Sequence, residues 1–161
     1  MKRFLIVAMT VLALGLGTTQ AGPAAGPEAT QKQGGPANEL KVLRPMAAQG
    51  HATAQFNLGV MHDFGRGVTQ DYGEAVKWYR LAAAQGHPAA QFNLAGMYLD
   101  GLGVAQDHVR AYMWFALGAG AGFPGAAKNR NSIARQMTPG QIAQAQQLAL
   151  DCQQRQFKDC D

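Results

Sequence analysis

Few side chains in this 161-residue sequence are of types that do covalent chemistry, and their spacing argues against most of it. The one serine is Ser132, and the residue three positions on is Arg135 instead of a lysine. That excludes a serine acyl-enzyme of the S-x-x-K kind. His62 and Asp63 have the chemistry of an acid–base pair, but neighbours on a helix point about 100° apart. No nucleophile falls in register with them, so the expectation is a solvent-exposed polar helix end. His51 and His87 lie 36 residues apart, on adjacent units by the period described below. Helix spacing then separates them by on the order of 10 Å, too far to share a metal ion. Both sit where a helix N-cap belongs. No H-E-x-x-H pair, phosphate-binding loop or dinucleotide fingerprint occurs. No catalytic residue, metal site or cofactor is expected, and the chain reads as a non-enzyme.

Two constellations remain. Asn57, Asn93 and Asn129 recur at intervals of 36 residues. An amide side chain both donates and accepts, so a spaced column of them can hold the backbone of an extended peptide. The same column can instead bridge adjacent helices or loops and stiffen the stack. The second constellation is Cys152 and Cys160, the only cysteines. A continuous helix through both would put their Cα atoms about 12 Å apart, whereas a disulfide needs them under about 7 Å. A bridge between them therefore requires the last helix to end near residues 152–156 and the tail to fold back.

The elements that position these groups follow from one internal match. Ala54-Gln-Phe-Asn-Leu58 returns unchanged as Ala90-Gln-Phe-Asn-Leu94, and residues 51–86 align with 87–122 at 17 of 36 positions. A fixed period of this size marks a stacked array, in which each unit needs its neighbour to bury its apolar face. Each unit splits into two helices. Ala54, Leu58 and Met61 form the apolar stripe of the first, repeated by Ala90, Leu94 and Met97. Ala75, Trp78, Tyr79 and Ala82 form that of the second, repeated by Ala111, Trp114, Phe115 and Gly118. Asp71 is an N-cap with Glu74 three residues on, a capping box, and Asp107 repeats the cap without the acid. Between the helices, Gly65-x-Gly67-Val68 and Gly101-x-Gly103-Val104 supply a turn and an apolar plug.

Residues 37–50 read as a half-repeat helix, with Pro45 predicting a kink or a late start. Residues 51–86 and 87–122 are the two full repeats. Residues 123–161 hold a degenerate repeat and a capping helix from Thr138-Pro139, with Gln141, Gln144, Gln147 and Gln154 facing solvent. That makes seven helices in an all-α chain.

Ahead of them, Lys2-Arg3, the apolar run Phe4–Leu16 and the small residues Thr19 and Ala21 read as a secretory signal cleaved after Ala21. Residues 22–36, rich in Gly and Pro, read as a flexible lead. The expected location is periplasmic or extracellular, where two cysteines pair by default. Removing Lys2 and Arg3 from the 14 basic residues leaves 12 against 10 acidic ones, a net charge of +2. No basic cluster suits nucleic acid, and the apolar run is too short to span a membrane, which takes about 20 residues.

The AxAQFNLGxM segment, the GxGVxQD connection, AxxWYRLAAAQG and the 36-residue period together resemble the Sel-1-like repeat family, relatives of the tetratricopeptide repeats. The resemblance covers residues 38–135, and MTPGQIAQAQQLALDC looks like the closing helix of exported bacterial members. It implies a right-handed α-solenoid used for protein–protein contact or scaffolding, with no common catalytic activity. It also implies that the first helices, and with them Asn57, Asn93 and Asn129, line the concave surface. The reading is an exported adaptor that holds a protein or peptide partner in that groove. A purely structural subunit of an envelope complex is the alternative. A cell-wall hydrolase lacks its residues. The partner and the oligomeric state stay open.

Overall fold

The computed structural model describes residues 35–160. The expected signal segment, residues 1–21, and the lead as far as residue 34 lie outside the described residues. Seven helices occur among those described: α1 (Pro36–Ala48), α2 (Ala52–Phe64), α3 (Tyr72–Ala83), α4 (Pro88–Asp100), α5 (His108–Gly120), α6 (Ala126–Ala134) and α7 (Pro139–Gln154). Each packs on its sequence neighbour from α1 to α6, and α7 packs on α5. The result is an all-α solenoid in which α2, α4 and α6 are first helices and α1, α3 and α5 second helices.

The helix boundaries follow from local chemistry. Second helices α1, α3 and α5 each close with glycine in the left-handed region, at Gly50, Gly86 and Gly122. In each, the N–H beyond the glycine bonds back to the last turn: His51 to Met46, His87 to Ala82 and Phe123 to Gly118. This is the Schellman closure, which satisfies carbonyls the helix leaves orphaned. Helix α1 runs through Pro45 and starts at Pro36, with no late start. Pro36 therefore belongs to the helix and not to the lead. A proline at the first helical position loses nothing, because its missing N–H would have had no partner there.

The carboxylate of Asp71 accepts from the Glu74 N–H, but Glu74 does not complete the box and pairs with Lys77. The Asp71 N–H is already taken by the His62 carbonyl. Thr138 and Gln141 do form a full capping box.

Stacking between units rests on two bonds of the same kind. The Gln55 side chain donates to the Ala47 carbonyl at 3.1 Å, and Gln91 donates to the Ala83 carbonyl at 3.4 Å. These are the two buried polar side chains of the core. Each ties a first helix to the end of the preceding second helix. Gly67 and Gly103 set the other contact: a Cβ on Gly103 would lie 2.3 Å from the Tyr72 carbonyl oxygen, and one on Gly67 would lie 2.6 Å from Pro36 Cβ. Pro36 and Tyr72 are one period apart, so α1 occupies the place of the second helix of a preceding unit.

The main core runs from α3 to α7 around Tyr79, Leu94, Met113, Trp114, Phe115 and Leu117. A smaller cluster joins α1 to α2 through Leu43, Ala47, Ala54, Leu58 and Met61. Trp114 is buried, but Trp78, expected to match it, is only half-buried at the edge of the smaller cluster. Trp78 packs on the small cluster of Leu43, Ala47, Ala54, Leu58 and Met61, whereas Trp114 belongs to the main core, against which Phe157 and Cys160 of the tail also pack. At the far end, Cys152 and Cys160 are bonded, with Cα atoms 5.2 Å apart. Helix α7 ends at Gln154, and Gln156, Phe157 and Asp159 take positive φ to turn the tail back.

Two outcomes test this packing. Trp114→Ala should lower stability by about 3–5 kcal/mol in chemical denaturation, and Trp78→Ala by clearly less, because only the first empties a filled core site. The second concerns Gln91. The carbonyl oxygen of Gln55 accepts from Gln85 at 2.7 Å, whereas that of Gln91 is buried without a hydrogen-bond partner. The residue one period beyond Gln85 is Ala121, which has no donor. Ala121→Gln should supply it and raise the unfolding free energy by about 1 kcal/mol.

Candidate functional site

A depression of about 250 Å3 runs along the first helices, from Asp63 and Phe64 at the end of α2, across α4, to Asn129 of α6. Its apolar floor includes Phe92, Met97, Leu99 and Phe115, and Gly96 removes a side chain from its wall. Asn93 and Asn129 both line it. Asn57 does not; it sits half-buried on α2.

The three asparagines are unequal for a reason visible in the register. Asn93 Nδ2 donates to the Tyr79 phenol at 3.0 Å, and that phenol donates to Asp63 Oδ2 at 3.0 Å. The chain Asn93–Tyr79–Asp63 thus links α4, α3 and α2. One period either side of Tyr79 stand Leu43 and Phe115, neither with a hydroxyl, so Asn57 and Asn129 meet no such partner. Sequence reasoning ranked the three asparagines together and overlooked the residue that differentiates them. The signal was available in the Leu43, Tyr79, Phe115 series.

Burial dominates the electrostatics. It pushes the Tyr79 phenol well above its usual range, which keeps the donor proton in place. It also raises the carboxyl of Asp63, against the opposing hydrogen bond from Tyr79. His62 and Asp63 are therefore half-buried and not the solvent-exposed helix end expected; His62 Nδ1 lies buried without a hydrogen-bond partner.

His87 caps α4, its Nδ1 accepting the Ala90 N–H at 3.2 Å, and its ring stacks on Phe56 at 4.8 Å. Desolvation lowers its pKa, favouring the neutral ring that this cap requires. His51 holds the same N-cap place on α2 without a side-chain bond. Ser132 is exposed on α6 and does not line the depression. With amides, carboxylates and an apolar floor, the arrangement is suited to holding a segment of chain.

Because its folded-state pKa is raised, Asp63 opposes folding while ionised, and that penalty fades as pH falls through its folded-state value toward the ordinary 3.8. Asp63→Asn keeps an acceptor for Tyr79 and removes the charge. The variant should be at least as stable as the parent at neutral pH, and the difference should shrink as the pH approaches 4. A gap that widens on acidification would show that Asp63 is stabilised as the anion.

The Sel1 repeat family matches residues 52–87 and 88–123, one residue on from the repeats bounded at 51–86 and 87–122. Two solved structures are similar over longer stretches. One is c5321, a protective antigen present in uropathogenic Escherichia coli strains and displaying an SLR fold. It is 34% identical with a TM-score of 0.73, over 77% of this chain and 27% of that one. The other is a Sel1 repeat protein from Oxalobacter formigenes, 34% identical with a TM-score of 0.57, over 59% of this chain and 39% of that one. The chain thus spans well under half the length of either relative. No curated protein matches it. Sel1 repeat proteins are generally protein-interaction scaffolds. Two family repeats in tandem, in a solenoid that superposes on SLR-fold structures, make this chain a Sel1-like repeat protein.

Proposed function

We propose that the chain is exported and works as a non-enzymatic adaptor, holding an extended segment of a protein partner in the groove of its first helices. The observation that carries this reading is the shared depression: Asn93 and Asn129, from successive first helices, line it beside Asp63 and Asp100 over an apolar floor. Amides at repeat spacing suit a main chain, whose N–H and C=O groups recur regularly and need partners once water is displaced. Asn93 gives one of its two amide N–H groups to Tyr79, so its carbonyl oxygen and the second N–H are what it offers to a ligand. Asn129 faces Phe115 in place of a tyrosine, so neither of its N–H groups is spent on a phenol. Export supplies the oxidising compartment in which the Cys152–Cys160 bond persists.

A second reading is a structural accessory subunit, and the engagement of Asn93 by Tyr79 favours it: that asparagine already bridges two helices. The two readings separate in one experiment. Mature protein starting at Gly22 is used to capture partners from an envelope extract, beside Asn57→Ala/Asn129→Ala and Asn93→Ala variants. The adaptor reading expects the double variant to keep its melting temperature and lose what the parent retains. Asn93→Ala should lose the partner and also melt earlier. Unchanged retention by the double variant would move the site out of this groove. Recovery of the unprocessed chain in the cytoplasmic fraction, with Met1 intact, would sink export.

A further inference from the structure

The depression along the first helices contains a glycine that the fold does not require. Gly96 lies inside α4 without a positive φ, and a Cβ built on it would meet no atom of another element within 4 Å. Gly59 and Gly118 are helix glycines of another kind. A Cβ on the first would lie 2.5 Å from the Tyr79 ring, and one on the second would pack at 3.5 Å against the Pro88 carbonyl. Glycine inside a helix is destabilising relative to alanine, because more backbone freedom is lost on folding. At Gly96 neither a packing contact nor a backbone angle offsets that cost. One period away stand Val60 and Ser132, so the gap is particular to α4. It leaves a trough in the wall of the depression, with Asn93 three residues before it and Asp100 four residues after, on the same helix face.

Charge decides what the trough suits. The two carboxylates lining the depression both stand in the last turn of a first helix, Asp63 on α2 and Asp100 on α4. The carbonyl end of a helix adds partial negative charge there, and α4 has no basic residue in its last turn to answer it. No lysine or arginine lines the depression. Asp100 is exposed and, among the described residues, forms no ion pair and no side-chain hydrogen bond. Asp63 receives the Tyr79 hydroxyl on Oδ2 but pairs with no cation. Burial raises its carboxyl, and no neighbouring positive charge counters the shift. Arg66, just beyond α2, holds its guanidinium 5.3 Å from the centroid of the Phe64 ring and against neither carboxylate.

A long basic side chain has the matching shape and charge. Lysine and arginine lay an aliphatic stem along apolar surface and keep the charged head at a polar edge. From Gly96 to Asp100 the helix rises about 6 Å, a span that such a stem covers when extended. An acidic segment would instead meet two carboxylates. We propose that the segment held in the first-helix groove carries a lysine or arginine, its stem lying over Gly96 and its charge between Asp63 and Asp100. The inference rests on the groove reading proposed above and adds the chemistry of the partner to it.

The test is an NMR titration of the 15N-labelled mature protein at low salt with three acetylated and amidated pentapeptides. Each has alanine on both sides of a central lysine, norleucine or glutamate. Norleucine keeps the stem of lysine and removes the charge. The lysine peptide should produce saturable shifts at the amides of Asn93, Gly96, Asp100 and Asn129, with a Kd about fivefold or more below that of the norleucine peptide. The glutamate peptide should bind more weakly than either. Asp100→Asn, at an exposed position, should remove most of the preference for lysine and leave the norleucine peptide little changed. Gly96→Leu fills the trough with a better helix former. It should abolish the binding of both peptides in a protein that melts no earlier than the parent. Equal affinity for lysine and norleucine, with the same amides shifting, would overturn the basic residue and leave the groove reading standing. Undiminished binding by Gly96→Leu would overturn the placement over Gly96. No saturable shift with any peptide, or shifts confined to residues outside the groove, would overturn this inference and the groove reading together.

Discussion

Gln55 and Gln91 bury their amides where one unit meets the next, and much of the structure depends on where those amides find acceptors. An amide placed in a core without a partner costs roughly 1–3 kcal/mol. Each finds one in the last turn of the preceding second helix, at the Ala47 and Ala83 carbonyls. A slide of one helix along the other would break that bond while leaving much of the apolar contact intact. Small side chains such as Ala54, Ala82, Ala83 and Ala90 pack closely but select register weakly, since one alanine resembles another. The glutamine bond supplies the selection. The contact of Gly103 with the Tyr72 carbonyl supplies a second point at the other end of the helices, so translation and tilt are both held.

Once the register is held at 36 residues, differences between units become differences between junctions. Position 79 is tyrosine while 43 and 115 are leucine and phenylalanine, so one asparagine of three is tied into the core. Position 85 is glutamine while 121 is alanine, so one buried amide oxygen of two is satisfied. Position 98 is tyrosine where 62 is histidine. The first holds the Arg80 guanidinium, and the second leaves its Nδ1 without a partner. In a stack where each unit touches only its neighbours, such changes act locally and do not disturb the rest. A regular frame can therefore carry irregular sites.

The frame was legible in the sequence. Stripes at i, i+4 and i+7 placed α2 to α5, glycines after the last turns placed their ends, and Thr138-Pro139 with Gln141 placed α7. Helical rise against disulfide reach located the fold-back of the tail, because both lengths are properties of the backbone. What was not legible depends on partners distant in sequence. Asn57, Asn93 and Asn129 look alike until the residue facing each is known. Trp78 and Trp114 share a pattern, yet only the second lies within the main core, and the first is left half-buried at the smaller cluster. Glu74 satisfies the spacing of a capping box, but the N–H it would need is spent on His62, and no local pattern records that. Helix α7 has an apolar face that could have met α6; it closes on α5, through Ala145, Ala149 and the contact of Gln146 with Tyr112.

The second-helix side differs from the first because the array stops there in a different way. Along the first helices, α6 continues the row and its Asn129 extends the groove. Along the second helices the next place is not filled by a regular unit, and the disulfide-held tail returns beside α3 and α5. Its residues at positive φ are Gln156, Phe157 and Asp159, none of them glycine, and each non-glycine in that region carries a cost of order 1 kcal/mol. A tail whose task was to cover α5 could do so in ordinary conformations or with glycines. Turning this tightly places Phe157 over Gly86 and leaves Leu81 uncovered beside it, next to Lys77 and Arg80. Closing the short loop through Cys152 and Cys160 contributes about 2–3 kcal/mol by restricting the unfolded chain, enough to offset that local cost. The bond thus does more than staple the last helix: it maintains a backbone conformation that would otherwise relax, and with it the seat of Phe157 over Gly86.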